Sequence, residues 1–226
     1  MRYKIVGDNL QMVIVEINPG ERIYAQAGAL NHMSGNVRME AKAKGGILKG
    51  LNRLIAGETF ALVGYEAIGG PGIVAFSGSY PGKIMALELD GSKDYVLERG
   101  AFIACEEGVD VSATLTKRLS AGFFGGEGFI LQRAEGVGTM WITGAGDFIE
   151  YNLKDGQVLK VDTGHIVAFE DTVSYEVERA GGLKTILLGG EGIFLAKLVG
   201  PGRVILQSMS LPALASAIYP FLPRRS

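Results

Sequence analysis

The sequence is poor in the side chains from which most catalytic and metal centres are assembled. It holds one cysteine and two histidines in 226 residues. Cys105 has no partner for an internal disulfide, which suits a reducing compartment, and it ends the apolar run Ala101-Phe102-Ile103-Ala104-Cys105, where a buried, inert thiol is expected. His32 and His165 fall short of the ligand set of a catalytic metal site. Long hydrophobic runs are missing as well: no stretch of about 18 apolar residues is available to cross a bilayer. An excess of charge is also lacking, since 22 Lys and Arg stand against 24 Asp and Glu, for a formal net charge of −2. General electrostatic attraction for nucleic acid is therefore absent, and nucleic-acid binding is disfavoured. The opening Met1-Arg2-Tyr3-Lys4-Ile5-Val6-Gly7-Asp8 turns polar too early for a secretory signal and lacks the composition of an organellar leader, so a cytoplasmic location is expected.

What the chain has in excess is glycine: 34 residues, about twice the usual ~7%, with neither the three-residue period of collagen nor the low complexity of a linker. Glycine at this density between apolar segments signals many tight turns. Those turns recur. Leu54-Ile55-Ala56-Gly57-Glu58 returns as Phe123-Phe124-Gly125-Gly126-Glu127 and as Leu187-Leu188-Gly189-Gly190-Glu191, each leading into an apolar strand-like run. Gly28, Gly100 and Gly164 are each followed nine residues later by a valine, Val37, Val109 or Val173, opening an alternating segment. A second set of turns, Gly69-Gly70-Pro71-Gly72, Gly136-Val137-Gly138 and Gly200-Pro201-Gly202, leads into the strands Ile73–Phe76, Thr139–Ile142 and Arg203–Leu206.

These correspondences divide the chain into units at about 9–80, 81–144 and 145–208 within one domain spanning 1–226. The expected fold is all-β: barrel-like or stacked sheets built from three pseudo-repeats. The first unit carries extra length around Lys42 to Arg53, read as a loop with a loose helical turn from Gly45 to Ile55. A short helix is predicted in the tail, from Ser210 to Leu222, with Pro212 near its start and Leu211, Leu214 and Ile218 on the packed face.

The threefold pattern, the apolar-apolar-small-Gly-Glu turns and the final Gly-Pro-Gly-x-Val-x-Leu-Gln resemble the prokaryotic family related to the mitochondrial biogenesis proteins called "altered inheritance of mitochondria", over about residues 9–208. The resemblance implies a double-stranded β-helix fold similar to the trp RNA-binding attenuation protein, assembly into homo-oligomers, no established enzymatic activity and, in the mitochondrial members, a role in inner-membrane organisation. It brings no catalytic motif to these residues.

Glu58, Glu127 and Glu191 are the charged residues repeated in register. Three carboxylates on a pseudo-threefold axis suit a hard cation, whereas single carboxylates beside small residues suit turn N–H groups or a neighbouring arginine. The structural role is the expectation, and neither a metal nor a cofactor is called for. Leu54, Ile55, Phe123, Phe124, Leu187 and Leu188 form three apolar tips, suited to a subunit interface, a membrane-touching surface or a buried plug. Nucleophile and phosphate motifs are incomplete: Ser77-Gly78-Ser79 lacks the elbow glycine, and Gly144-Ala145-Gly146-Asp147 and Gly125-Gly126-Glu127-Gly128 lack the rest of a dinucleotide or phosphate loop. Glu106-Glu107 and Glu170-Asp171 are expected in solvated loops.

The function expected is a non-enzymatic homo-oligomeric scaffold or binding protein, a trimer if the internal pattern extends outward, with a protein partner and peripheral membrane contact, to which Arg224 and Arg225 would add about 2 kcal/mol. Two other classes stay open. One is a small-ligand or RNA-binding ring with a basic stripe of Lys42, Lys44, Lys49 and Arg53; the other is a metal-dependent β-helix enzyme.

Overall fold

The computed structural model describes residues 1–42, 61–117, 129–179 and 194–222. The chain is all-β apart from a short C-terminal helix, and its strands form several sheets, none closed into a barrel among the described residues. Two compact units divide at Thr143 and Gly144, at the boundary between the second and third sequence repeats.

The first unit contains β1 (Arg2–Val6), β2 (Met12–Ile17), β3 (Arg22–Gln26), β4 (Leu30–Met33), β5 (Val37–Lys42), β6 (Leu62–Ala67), β7 (Gly72–Ser77), β8 (Gly82–Asp90), β9 (Tyr95–Glu98), β10 (Phe102–Glu106), β11 (Val109–Lys117) and most of β12 (Phe129–Ala145). One sheet runs β1-β2-β7-β4, and β12-β10-β3-β6-β5 run in sequence through another. The alternation in β2 is strict: Val13, Val15 and Ile17 are fully buried, while Met12, Ile14 and Glu16 are half-buried. That period of two places β-branched side chains on the core face. They meet Val74, Phe76, Ile23, Tyr65, Ile103 and Trp141 in one hydrophobic core. Edge-to-face aromatic pairs are Tyr65 on Phe76 at 5.2 Å within the core and the more exposed Tyr3 on Trp141 at 5.4 Å.

Gly136-Val137-Gly138 does not separate two strands as expected. It lies inside β12, which pairs with β11 as far as Val109↔Gly136 and with β10 from Cys105↔Met140 to Phe102↔Ile142. Gly136 and Gly138 have φ of +113° and +142°, so they redirect the strand from one partner to the next without reversing it. A Cβ on Gly136 would stand 2.2 Å from the Gly108 carbonyl oxygen, which only glycine permits.

The second unit contains β13 (Phe148–Leu153), β14 (Val158–Asp162), β15 (Ile166–Glu170), β16 (Ser174–Arg179), β17 (Phe194–Val199), β18 (Gly202–Gln207) and α1 (Leu211–Ile218). Within it β13-β18-β15 and β14-β17-β16 are antiparallel ladders. Its buried side chains include Leu153, Val161, Phe169, Ala196, Leu198, Val204 and Ile205, with Tyr175 stacked on Phe169 at 5.7 Å. The outer face of the second ladder carries matched charge, with Lys160 on Glu178 and Lys197 3.7 Å from Glu176.

α1 forms where the sequence places it. The Ser210 hydroxyl accepts the Ala213 N–H at 3.3 Å and Pro212 occupies the first turn, where its missing N–H leaves no bond unmade. The expected packing does not occur. No residue of α1 is buried: Leu214 of the expected face is half-buried, and Leu211 and Ile218 are exposed. A cap and a proline suffice to start a helix locally, whereas burial needs a facing element, and among the described residues none buries this face. Tyr219–Phe221 continue as a 3-10 turn.

Candidate functional site

The glutamates and apolar tips singled out by the sequence, Glu58, Glu127, Glu191, Leu54, Ile55, Phe123, Phe124, Leu187 and Leu188, lie outside the described residues. So do Lys44, Lys49, Arg53 and the Gly45–Ile55 turn. The strands that bracket them are described. β5 pairs with β6 to Lys42↔Leu62, β11 with β12 to Lys117↔Phe129, and β16 with β17 to Arg179↔Phe194. Each sequence-matched segment is thus carried between two antiparallel strands.

A different set of polar residues is brought into register, and sequence reasoning passed over it. Six residues beyond Gly28, Gly100 and Gly164 stand Ser34, Glu106 and Glu170. The Ser34 hydroxyl accepts the Ile73 N–H at 2.9 Å, Glu106 Oε2 accepts the Thr139 N–H at 2.9 Å, and Glu170 Oε2 accepts the Arg203 N–H at 3.1 Å. Each donor directly follows the last glycine of a second-set turn, Gly72, Gly138 or Gly202. The same glycine faces the valine nine residues past the first: a Cβ would stand 2.7 Å from Val37 Cγ2 at Gly72, 3.4 Å from Val109 Cγ2 at Gly138 and 2.7 Å from Val173 Cγ2 at Gly202. The glycine-to-valine spacing visible in the sequence is therefore the trace of one contact made three times: a side-chain acceptor, a backbone N–H and a valine closed over a bare backbone.

This corrects the reading of the paired acids. Glu107 and Asp171 are exposed, but Glu170 is buried and Glu106 half-buried, the latter also accepting the Met1 amine at 2.9 Å. Carboxylates at these positions satisfy backbone donors.

Two further clusters belong to the same structural class. Glu98 Oε2 accepts the Gly100 N–H at 2.7 Å, and the Tyr80 hydroxyl donates to the Gly100 carbonyl at 3.2 Å. Burial raises the Glu98 carboxyl above its ordinary range against the pull of the Gly100 bond and the Arg99 charge, and burial with the Glu98 charge raises the Tyr80 phenol. On the β3-β6-β5 surface a shallow cavity of about 190 Å³ is lined by Arg22, Tyr24, Arg38, Glu40 and Glu66. Glu66 stands 2.9 Å from Arg22 and 3.8 Å from Arg38, so the charges are matched across the strands.

Cys105 is buried. His32 is exposed on β4 beside Asn31, and the His165 ring lies 2.8 Å from the Gln207 carbonyl. Among the described residues no group of three or more His, Cys, Asp or Glu is placed to hold a metal. No described helix is long and apolar enough to cross a membrane.

What the described surface does offer is apolar. Tyr219 is 76% and Phe221 86% exposed, and no charged residue occurs from Ser208 to Pro223.

Comparison with known proteins places this geometry. An uncharacterized protein of Streptococcus pyogenes serotype M6 is 29% identical over 236 aligned residues, covering 100% of this chain and 93% of its own. The crystal structure of protein SPYM3_0169 from Streptococcus pyogenes superposes with a TM-score of 0.80 at 26% identity, covering 98% of this chain and 99% of the other. The family described as Mitochondrial biogenesis AIM24 matches residues 3–209, nearly the whole described fold, and the chain belongs to that family.

Proposed function

We propose that the chain is a non-enzymatic, self-associating scaffold that touches a lipid surface through its C-terminal helix. The observation that carries this reading is the exposure of α1 and the 3-10 turn after it: Leu211, Ile218, Tyr219, Phe221 and Leu222 all face outward, without a charge among them. Burying such side chains contributes about 1.5–3 kcal/mol each. Arg224 and Arg225 follow after Pro223 in the sequence and add about 2 kcal/mol at an anionic surface. One short helix holds a membrane weakly, and several copies in one assembly hold it far better, because each later contact is intramolecular. The polar clusters support a structural rather than a chemical role, since their carboxylates are engaged by backbone N–H groups or arginines.

The test is co-sedimentation of the full chain with phosphatidylcholine vesicles with and without phosphatidylglycerol, beside native mass spectrometry for subunit count. An oligomer that sediments with the anionic vesicles, and an Ile218→Asp/Phe221→Asp variant that does not, is the expected result. A monomer, or a variant that sediments as wild type does, refutes the reading.

A further inference from the structure

The last strand of the β13-β18-β15 ladder has an edge and an inner face that the described chain leaves uncovered. β13 pairs with β18 from Phe148↔Gln207 to Leu153↔Gly202, and among the described residues it has no second neighbour. Ile149 and Tyr151 share a face of the strand with Leu153, which is buried, and stand opposite buried Leu206 and Val204, yet they are 44% and 43% exposed themselves. In the first unit β2 holds the corresponding place, paired with β7 from Met12↔Ser77 to Ile17↔Gly72. There the edge is completed by β1, antiparallel, and the corresponding Val13 and Val15 are fully buried. The first unit thus shows what completes such an edge: an antiparallel strand that also extends the apolar face.

Sheet edges exposed to water are ordinarily guarded by lysine, proline or a bulge. Phe148-Ile149-Glu150-Tyr151-Asn152-Leu153 has none of these, and its ladder to β18 is regular over six residues. Its one charge, Glu150, is held by Arg203 at 2.6 and 2.8 Å. The strand is open and its charge is occupied.

We propose that β13 pairs with β13 of a second copy of this chain about a two-fold axis, forming a continuous sheet across the dimer. This rests on the self-association reading above and names its interface. Two identical strands related by a two-fold axis perpendicular to their sheet are necessarily antiparallel, the direction that β1 takes beside β2. The axis also keeps each side chain on its own face, so directly opposed residues must have numbers of the same parity. Two registers then use most of the strand. Centring on Glu150 sets like charges directly opposite, which is destabilising. Centring on Tyr151 sets Tyr151 against Tyr151, Ile149 against Leu153 and Glu150 against Asn152. The second register makes the core-side rows wholly apolar and leaves no like-charge pair, so it is the one assigned.

The test uses the full chain with substitutions at 149 and 151. Directly opposed residues of an antiparallel pair have Cα atoms about 4.5–5.5 Å apart, inside the disulfide range of about 4.4–6.8 Å. Tyr151→Cys is expected to form a covalent dimer on mild oxidation. Ile149→Cys is not, because its counterpart in the second copy lies four residues along the strand, and buried Cys105 does not compete. Tyr151→Lys is expected to weaken the dimer by roughly thirtyfold or more in sedimentation equilibrium. A wild-type chain that stays monomeric at micromolar concentration overturns both this interface and the self-association reading. A wild-type oligomer that Tyr151→Lys leaves equally tight, and that Tyr151→Cys does not cross-link, overturns the interface and leaves self-association standing. Cross-linking at 149 in place of 151 overturns the register.

Discussion

β2 and β13 are each six residues long, each pairs with a strand that follows a glycine turn, and each ends against that turn's last glycine, Ile17↔Gly72 and Leu153↔Gly202. Their surroundings differ. β2 lies between β7 and β1 over a core that reaches Trp141, whereas β13 has β18 on one side and no described strand on the other. As a result Val15 is fully buried and Tyr151 is not. Alternation along a strand decides which face its apolar residues take, and neighbours distant in sequence decide whether that face is dry. The difference leaves β13, among the described residues, as a sheet edge with half-exposed apolar side chains.

The comparison is broken most directly by cutting an isoleucine from each of the two strands. Ile17→Ala should cost about 2–5 kcal/mol in chemical denaturation, as expected for a fully buried residue in a close-packed core. Ile149→Ala should cost about 1 kcal/mol or less at concentrations below those at which the chain self-associates. Equal losses would show that β13 is already covered.

A smaller effect is expected at the turn contacts, which differ between the units in the acceptor used. Glu170→Ala should cost about 1–3 kcal/mol by leaving the Arg203 N–H without its acceptor, whereas Glu170→Gln keeps an oxygen in place and should recover most of that loss. Ser34→Ala, at a half-buried site where water can replace the hydroxyl, should cost less than Glu170→Ala. A larger loss at Ser34 would reverse the ranking by burial.

The smallest expected effect is a slope. Burial holds the Glu98 carboxyl above its ordinary range. The folded form then keeps its proton at a pH where the unfolded chain has lost it, so stability is greater below the unfolded carboxylate value and declines as pH rises through the raised folded value. Glu98→Gln should flatten this part of a plot of melting temperature against pH while preserving an acceptor for the Gly100 N–H. An unchanged slope would assign the pH dependence to other groups.

Much of the strand map is legible in the sequence because it depends on local rules. Met12–Ile17 reads as a strand from its β-branched run, and the Gly-to-Val spacing of nine points to three recurring segments before any coordinates are seen. Ser210 and Pro212 announce α1. What the sequence hides is the use of each polar residue. Glu106 looks like half of a solvated acid pair, yet it binds the Thr139 N–H 33 residues away, and nothing in its immediate neighbours announces that donor. Gly136-Val137-Gly138 looks like its two counterpart turns, but its strands continue through it because β10 and β11 draw the two halves of β12 to different partners. The residues chosen for chemistry, the glutamates and apolar tips, fall in segments 43–60, 118–128 and 180–193, outside the described structure.

The sequence by itself determined the class of the fold, the punctuation of its strands by glycine, the capped helix at its end and the family to which it belongs, since each depends on short-range pattern. Only the tertiary structure decided that Val13 is dry and Ile149 wet, that Glu170 holds a turn, and that α1 lies uncovered. Those outcomes depend on which distant strands arrive beside a given face, and a period of two residues carries no information about what will arrive.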